Sequence, residues 1–400
     1  MTVDPAAALA GLRVLELGSL IAGPYAGTLL AQFGAEVIKV EPPGRGDPLR
    51  KWRKTYAGTS LWWYSQSRNK KSVAIDLRTP EGGALVREIA ASADIVIENF
   101  RPGTLEKWGL GWDVLSAINP RLIMLRISGY GQDGPYAGRP GFAAIAECMG
   151  GLRHVTGFPD RPPVRSGVSL GDTLASLYGT IGTLIALHHA RSRGVGQVVD
   201  VALYEAVFAI MESLMPEYSV LGHVRERSGA SLPGIAPSNT YVCRDGKYVA
   251  IAGNGDSIFQ RLMQVIGRAD LAARADLADN EGRVKHAGEL DAAIQAWALT
   301  LDAPAVIETL NAASVPVGAI YTASDIAADP HFRARGVLEA AQLPDGTPMT
   351  LPGAVPRLCA TPGRTSWIGP RLGEHTCDVL AALGVGEERM NDLKEKGVIA

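Results

Sequence analysis

The sequence has few cysteines and no excess of charge of either sign. Its four cysteines are scattered through 400 residues, and no two have the spacing of a zinc-ligand pair, which excludes a disulfide framework and argues against a zinc site. Thirty-nine basic residues oppose 41 acidic ones, for a formal net charge of −2. No overall basic surface is therefore available for nucleic acid, and an anionic ligand must be met by a local cluster.

Long hydrophobic runs are also missing near the N-terminus. The most apolar early stretch, residues 20–33, is interrupted by Gly23 and Pro24 and has no basic leader. It is shorter than the ~20 residues that a membrane span needs. We expect a cytoplasmic protein that binds neither membranes nor nucleic acid. With 46% apolar residues, the chain can form a large core and two domains.

Several nucleotide-binding and metal-binding signatures do not occur. There is no GxxxxGK[ST] loop and no HExxH pair, which argues against an ATP-driven ligase and a zinc hydrolase. Glu41 stands where a dinucleotide-binding fold would place its ribose-binding acid. The glycines after the first predicted strand do not form GxGxxG, and Pro24 removes an amide that could face a phosphate. A nicotinamide or flavin enzyme is therefore disfavoured.

The first half of the chain alternates between strand and helix patterns. Residues 13–17 and 36–41 predict strands on either side of a helix at 24–33. The pattern recurs with strands at 72–77, 94–100 and 121–128 and a helix that opens at 79–82. This alternation predicts an α/β fold with a Rossmann-like parallel sheet covered on both faces.

The second half has a different character. An almost uncharged helix is predicted between Thr173 and Ala190, buried in the domain or at a subunit contact, and a strand follows at 194–203. Residues 241–252 give a hairpin signal, and Ala-rich helices extend to about Ala313. We predict a large domain over 1–224, a small domain over 225–320, and a C-terminal part, 321–400, that returns to the large domain.

Two residues that precede the apolar helix are candidates for chemistry. Ser169 lies in a GxSxG pattern, which suggests the nucleophile elbow of a serine hydrolase, but residues 161–165 contain two prolines and form a poor preceding strand. Asp172 lies at or near the helix N-cap, where it is either a capping residue or a nucleophile. An aspartate is ionised at neutral pH, so it can attack an acyl group without a general base.

Eight motifs taken together are more specific. The motifs are LAGLRVLEL (9–17), AGPY (22–25), GAEVIKVEPPG (34–44) with GD (46–47), NKKS (69–72), ENFRPG (98–103), SGYG (128–131), GD (171–172) and LGEHT (372–376). In this order, they resemble the class III CoA-transferases, also called the CaiB/BaiF or formyl-CoA transferase family, and the likeness runs from about residue 9 to Gly397.

The resemblance implies an intertwined homodimer in which a Rossmann-like large domain, built from both chain ends, accompanies a smaller α+β domain. It also implies that Asp172 is the nucleophile. In the family mechanism, this carboxylate forms first an aspartyl-acyl anhydride and then an aspartyl-CoA thioester, so CoA passes from an acyl-CoA donor to a free carboxylic acid. No metal or permanently bound cofactor is required, and the CoA thioester is a substrate.

The same resemblance implies the CoA-binding positions. Pro42 departs from the family pattern, because some members have an arginine there for the CoA phosphates, and Arg45 is the nearby substitute. Lys107 stands where arginine is common and keeps the charge without the bidentate fork. The full set of CoA-binding positions is Ala22, Ile75, Arg78, Asn99, Phe100, Lys107 and Trp108.

Other members of the fold leave alternatives. α-Methylacyl-CoA racemases share the aspartate but pair it with a histidine in a Gly-His-Asp stretch, where this chain has Gly141-Phe142-Ala143. Phenylalanine cannot move a proton, so transferase is preferred over racemase, and a non-catalytic CoA-binding module is disfavoured by Asp172. The glycine-rich segments 229–234 and 253–255 are candidates for shielding the intermediate, and each can equally well be an ordinary loop. We expect small or medium carboxylate substrates, such as a dicarboxylate with succinate as donor.

Overall fold

The computed structural model describes residues 5–400, which divide into two compact units. The first unit contains the chain up to Leu152, Ser166–Leu221 and Phe332–Ala400. The second contains Arg153–Arg165 and Gly222–His331. The segment 153–165 is thus part of the second unit, whereas the predicted large domain, 1–224, includes it.

The strands have the following bounds. In chain order they are β1 Arg13–Glu16, β2 Glu36–Glu41, β3 Thr55–Tyr56, β4 Thr59–Ser60, β5 Lys70–Ala74, β6 Ile95–Glu98, β7 Ile123–Ser128, β8 Val198–Ala202, β9 Ser238–Val242, β10 Tyr248–Ala252, β11 Val317–Ala319, β12 Leu338–Gln342 and β13 Pro348–Pro352.

The α-helices lie between and after these strands, with short 3₁₀ turns at Pro48–Lys51 and Ala275–Leu277. In chain order they are α1 Ala22–Gln32, α2 Leu61–Gln66, α3 Pro80–Ala90, α4 Thr104–Lys107, α5 Trp112–Ile118, α6 Ala143–Met149, α7 Leu152–Val155, α8 Leu170–Arg193, α9 Leu203–Phe208, α10 Leu214–Leu221, α11 Asp256–Val265, α12 Ala269–Ala272, α13 Asn280–Lys285, α14 Ala287–Ala298, α15 Ala303–Ala312, α16 Ala323–Ala328, α17 Pro330–Ala334, α18 Thr376–Ala382 and α19 Glu387–Glu395.

The first unit is built on a six-stranded parallel sheet in the order β5-β2-β1-β6-β7-β8. Counted along the chain, this is the doubly wound order 3-2-1-4-5-6. The predicted α/β class and parallel sheet are therefore confirmed. β5 begins at Lys70, two residues before the predicted start, and the Lys70 side chain is completely buried.

Alternation along the central strands supplies the core on both faces of the sheet. In β1, Val14 packs with Ile95 and Ile97 on one face, while Leu15 packs with Val96 on the other. A side-chain period of two explains this division. Each fully buried aliphatic side chain contributes about 1.5–3 kcal/mol to folding.

Helix α8 packs one face on the sheet and leaves the other exposed on this chain. A Cβ added to Gly179 would lie 3.0 Å from the Leu125 side chain, so the glycine at this position allows close packing of the helix on the strands. On the opposite face, Ile181 and Ile185 are 54% and 65% exposed. By length and composition alone α8 could cross a membrane, but helices of soluble cores pass the same test. The expected deep burial holds for one face only.

The C-terminal segment packs on the edge strand β5. The backbone N–H of Ser72 donates to Nδ1 of His375 at 3.2 Å, and that of Ala74 donates to Oγ1 of Thr376 at 3.0 Å. Ile399 forms a single antiparallel bridge with Ile75. Residues more than 300 positions apart therefore complete one unit.

The second unit contains an antiparallel sheet in the order β11-β10-β9. The predicted hairpin is confirmed: Val249 pairs with Tyr241 across the β9–β10 turn. Its core joins the sheet to α11 and α14 through Phe259 and Ile294.

Candidate active site

A cleft opens at the carboxyl ends of β1 and β6, which neighbour each other at the centre of the sheet. In doubly wound folds, the strand order reverses at this point and ligands bind in the crevice outside the strand ends. The cleft has a volume of about 390 Å³. Its lining residues are Leu17, Gly18, Ser19, Lys39, Val40, Glu41, Pro42, Arg45, Gly46, Asp47, Pro48, Ile75, Asp76, Leu77, Arg78, Phe100 and Trp108.

Asn99 holds the loop that follows β1. Its Oδ1 accepts from the backbone N–H of Ser19 at 2.8 Å, and its Nδ2 donates to the Ser19 carbonyl at 2.9 Å. A Cβ on Gly18 would lie 2.3 Å from Asn99 Oδ1, so only glycine permits this approach. Asn99 thus lies beside the cleft with its amide engaged by the protein.

One wall of the cleft is apolar. Phe100 and Trp108 meet edge to face, with ring centroids 5.2 Å apart and planes at 78°. Ile75 is completely buried beneath the cleft surface. Three positions predicted for CoA binding are therefore gathered on one wall, and a flat base is the kind of ligand group that such a wall suits.

The cations near the cleft differ in their availability. Arg78 lines the cleft but makes a bidentate pair with Asp76, in which Nε and Nη2 donate at 2.9 and 2.7 Å. This guanidinium lowers the pKa of Asp76 below its ordinary value, against a smaller effect of burial. Arg45 also lines the cleft. Lys107 ends α4 with an exposed side chain and is not among the lining residues.

Asp172 lies in the first turn of α8, partly buried, as the third residue of the helix. The helix begins at Leu170 after Ser169, three residues before the predicted start, so Asp172 is inside the first turn and is not the N-cap. A carboxylate is stabilised there by the N-terminal end of the helix dipole. The Ser176 hydroxyl lies 2.7 Å from both the Asp172 and Ala22 carbonyl oxygens and can donate to either.

The profile of CoA-transferase family III matches residues 9–376. The chain belongs to this family. It is 51% identical to a succinyl-CoA–D-citramalate CoA-transferase of Chloroflexus aurantiacus over 99% of both chains, and 37% identical to a succinate–glutarate CoA-transferase of Agrobacterium fabrum over 94% of this chain and 95% of that one. A crystal structure of a CaiB/BaiF family protein from Brucella suis superposes with a TM-score of 0.84, at 36% identity, and covers 94% of this chain and 100% of that one.

This family III CoA-transferase uses Glu41 structurally. The Glu41 carboxylate accepts from Nε and Nη2 of Arg50 at 2.7 and 2.8 Å, from Ser72 Oγ at 2.6 Å and from the Asp47 backbone N–H at 2.9 Å. These four bonds occupy its acceptor sites, so no ribose hydroxyl can bind there. The position that suggested a dinucleotide enzyme is thus an internal anchor.

The competing nucleophile also lacks its context. In the described chain, residues 161–169 contain no strand, and Ser169 precedes the first residue of α8 without a strand-to-helix elbow. Phe142, at the racemase histidine position, is 70% exposed. Within residues 5–400 no group of three or more His, Cys, Asp or Glu side chains could hold a metal ion.

Two acidic residues at the site were missed by sequence reasoning. Asp76 pairs with Arg78 through a tight turn, and a two-residue spacing gave no signal of it. Glu147 is 1% exposed on α6, and its Oε1 lies 3.4 Å from the Gly171 backbone N–H, beside Asp172. An acid inside the apolar stretch 143–149 was the available signal for Glu147.

Proposed function

We propose that this CoA-transferase moves CoA from succinyl-CoA to a second dicarboxylic acid through covalent intermediates on Asp172. The observation that supports the proposal most strongly is the position of Asp172 in the first turn of α8, joined through Ser176 to the start of α1. Helix α1 follows the loop that lines the cleft, so a ligand that extends along this loop approaches Asp172.

The first half-reaction consists of two acyl substitutions, each of which forms one bond to a carbonyl carbon and breaks another. The Asp172 carboxylate attacks the thioester carbonyl carbon, the C–S bond breaks, and an aspartyl-acyl anhydride and CoA thiolate remain. The thiolate attacks the aspartyl carbonyl carbon of the anhydride, which gives an aspartyl-CoA thioester and releases the donor acid as its carboxylate. The mechanism requires amide N–H donors that stabilise the developing oxyanion and an active site that excludes water, so that the anhydride is not hydrolysed.

The second half-reaction reverses these steps with the acceptor. The acceptor carboxylate attacks the aspartyl thioester, forms a new anhydride and releases the thiolate. The thiolate then attacks the acyl carbonyl, so the new acyl-CoA leaves and Asp172 is regenerated. One thioester replaces another, which explains why no nucleotide triphosphate and no prosthetic group need to take part.

CoA binding is assigned to the cleft and its surroundings. The Phe100 and Trp108 rings form a surface for the adenine base, and Ile75 adds an aliphatic contact. Arg78 and Lys107 serve the phosphates, while Arg45 supplies the charge that Pro42 lacks. Asn99 and Ala22 lie along the loop towards Asp172, where the pantetheine arm and the thioester would extend.

The names of the relatives support the proposed substrate class. Those described above are named for succinyl-CoA or succinate with citramalate or glutarate, and succinate, citramalate and glutarate are all dicarboxylates. A relative with 45% identity is named as the β-subunit of a succinyl-CoA–L-malate CoA-transferase. We extend this class to the present chain, with a four- or five-carbon dicarboxylate as acceptor.

Exposed apolar side chains on the first unit support a homodimer. Ile185 on α8 is 65% exposed, and Val220 and Leu221 on α10 are 79% and 76% exposed. Extended apolar surface on a soluble protein marks an interaction site. An intertwined homodimer would cover these residues, and we place this dimer in the cytoplasm. Light scattering of the purified protein would then report two chains per particle.

The testing experiment combines thioester exchange with one substitution. Purified enzyme is incubated with succinyl-CoA and a panel of mono- and dicarboxylic acids, and new thioesters are identified by mass spectrometry. We expect exchange with dicarboxylates, which Asp172→Asn abolishes while the variant remains folded. Solvent deuterium at the α-carbon without exchange would indicate a racemase, and free CoA with a label on Ser169 would indicate a hydrolase.

A further inference from the structure

Beneath the cleft lies a group of buried charges that the transfer steps do not use. Glu16 and Lys70 are completely buried, and Lys39 and Asp47 are 1% and 2% exposed. Glu16 lies 3.1 Å from Lys39 Nζ and 2.8 Å from Lys70 Nζ, and Lys39 Nζ lies 2.9 Å from Asp47. The two carboxylates balance the two ammonium groups. Burying such ions costs several kcal/mol each unless they are paired, so apolar packing alone does not explain them.

Both lysines lie against carboxylates that favour their charged, ammonium form. Burial lowers the pKa of Lys39, but the carboxylates of Asp47, Glu16 and Glu41 outweigh it and raise that pKa above its ordinary value. Burial lowers the pKa of Lys70 to about 8, and Glu16 opposes this shift. Each ammonium group can therefore donate strong hydrogen bonds.

The lysines hold both ends of the segment 18–24, which we call the switch loop. Lys39 Nζ donates to the Gly18 carbonyl at 2.8 Å, and Lys70 Nζ donates to the Pro24 carbonyl at 2.6 Å. The loop runs from the end of β1 into the first turn of α1. Its two ends are thus fixed to one ion-pair group below it.

The middle of the switch loop is strained and is also held. Leu20 has a φ of 65°, in the left-handed region that side-chain-bearing residues avoid. Its N–H donates to both oxygens of Asp47 at 3.1 Å, and its carbonyl accepts from Nε2 of Gln66 at 2.6 Å. Ser19 is bound through both backbone groups by Asn99. Surrounding side chains therefore impose this conformation.

The switch loop is joined to Asp172 through one hydroxyl. Ser176 is completely buried, one turn after Asp172 on α8, and its Oγ lies 2.7 Å from the Ala22 carbonyl in the loop and 2.7 Å from the Asp172 carbonyl. A shift of the loop therefore reaches the turn that carries the nucleophile.

We propose that Lys70 and Lys39, paired with Glu16, are positioning residues that fix the switch loop and, through Ser176, the Asp172 carboxylate for attack on the thioester. This inference rests on the proposed role of Asp172. Lys39 and Asp47 line the cleft, but no side chain of the network takes part in a bond that the transfer makes or breaks. Its contribution is alignment, and misplacement by about 1 Å can cost roughly 100-fold in rate.

The test compares two adjacent lysines of β5. Lys70→Met removes the buried ammonium group and its bond to Pro24. Lys71→Met is the matched control, because the Lys71 side chain is 25% exposed and pairs with Glu36 on the other face of the sheet. We expect Lys70→Met to lower kcat roughly 10- to 100-fold, with the KM for succinyl-CoA within about threefold of wild type. Lys71→Met keeps both constants within about twofold, and Lys70→Arg restores part of kcat.

A single-turnover measurement separates positioning from folding. The rate at which acyl or CoA mass appears on the Asp172 peptide is measured in wild type and in folded Lys70→Met. If Lys70→Met does not fold, the double variant Glu16→Gln/Lys70→Met is measured in its place, because it removes both charges of the pair. The inference is overturned if the adduct forms at the wild-type rate in a folded variant that lacks Lys70. It is also overturned if KM rises equally in Lys70→Met and in the control Lys71→Met. A wild-type enzyme that never forms the adduct overturns the proposed function instead.

Discussion

The two ends of the cleft are built on different physical principles. The end with Phe100 and Trp108 is an apolar wall with cations whose long side chains reach into solvent. The end with the switch loop has its backbone groups bound by buried side chains, including two ammonium groups. If the proposed roles hold, the end assigned to CoA binding needs less precise geometry than the end assigned to the bond-making steps.

The largest effect is expected from a substitution that adds volume at the end of the cleft with the switch loop, which we call the rigid end. A Cβ on Gly27 in α1 would lie 2.0 Å from Glu16 Oε2, so Gly27→Ala must displace the carboxylate that pairs with both lysines. We expect kcat to fall at least tenfold and the free energy of unfolding to fall by about 1–3 kcal/mol. Steady-state kinetics and urea unfolding measure the two effects.

Gly288→Ala in α14 is the matched control for this change. Nothing lies within 4 Å of a Cβ at Gly288, so the alanine should leave kcat unchanged and stabilise the helix by up to about 1 kcal/mol. Equal kinetics for the two alanine variants would show that the rigid end tolerates movement.

At the tolerant end, Trp108→Ala should act on binding alone. Removing the ring takes away half of the Phe100–Trp108 pair and the surface assigned to adenine. We expect the KM for succinyl-CoA to rise roughly tenfold, equivalent to about 1.4 kcal/mol, with kcat nearly constant. Trp108→Phe keeps an aromatic face and should lie between the two. A fall in kcat with unchanged KM would reverse the roles of the two ends.

A smaller effect in the opposite direction is expected from Asp76→Asn. The substitution removes a negative charge from the cleft and frees the Arg78 guanidinium for the CoA phosphates. We expect the KM for succinyl-CoA to fall roughly two- to fivefold at low salt and to approach the wild-type value at high salt.

The chain contains a copy of this ion pair outside the cleft. Arg268 and Asp270 show the same bidentate geometry, at 2.9 and 2.8 Å, in the second unit. Asp270→Asn should therefore leave KM unchanged. If both asparagine variants change KM alike, the effect comes from overall charge and the assigned role of Arg78 fails.

The smallest effect concerns pH and a region that neither end uses. His375 Nδ1 must be unprotonated to accept from Ser72, and burial lowers the pKa of His375, against the opposing effect of Glu374. The unfolded chain then binds the proton more readily, so stability is lost as pH falls below about 6.5, until the folded-state pKa is passed. Urea midpoints at pH 7.5 and 5.5 should differ more in wild type than in His375→Asn, and equal differences would contradict this.

The fold was predictable where side-chain burial followed a simple period. Strands β1, β2, β6 and β7 are apolar runs between turn signals, and the hairpin β9–β10 follows its turn residues. Lys70 concealed the start of β5, because a buried lysine depends on partners that are distant in the chain. Glu41 resembled a ribose ligand for a related reason: its position after β2 is visible in the sequence, whereas its bonds to other side chains are not.

The candidate site was predicted unevenly for a similar reason. Ile75, Phe100 and Trp108 meet because the carboxyl ends of parallel strands share one edge of the sheet. Lys107 does not join them, since the turn after α4 directs only Trp108 into the cleft lining. The engagement of Arg78 by Asp76 depends on local backbone geometry, which residue types alone do not reveal.

The most direct measurement is the mass of the peptide that contains Asp172 after rapid quenching of enzyme mixed with succinyl-CoA. We expect two transient species, one heavier by a succinyl group and one heavier by CoA, both of which disappear when an acceptor acid is added and neither of which forms in Asp172→Asn. An unmodified Asp172 peptide during full turnover, or turnover retained by the asparagine variant, would contradict this expectation.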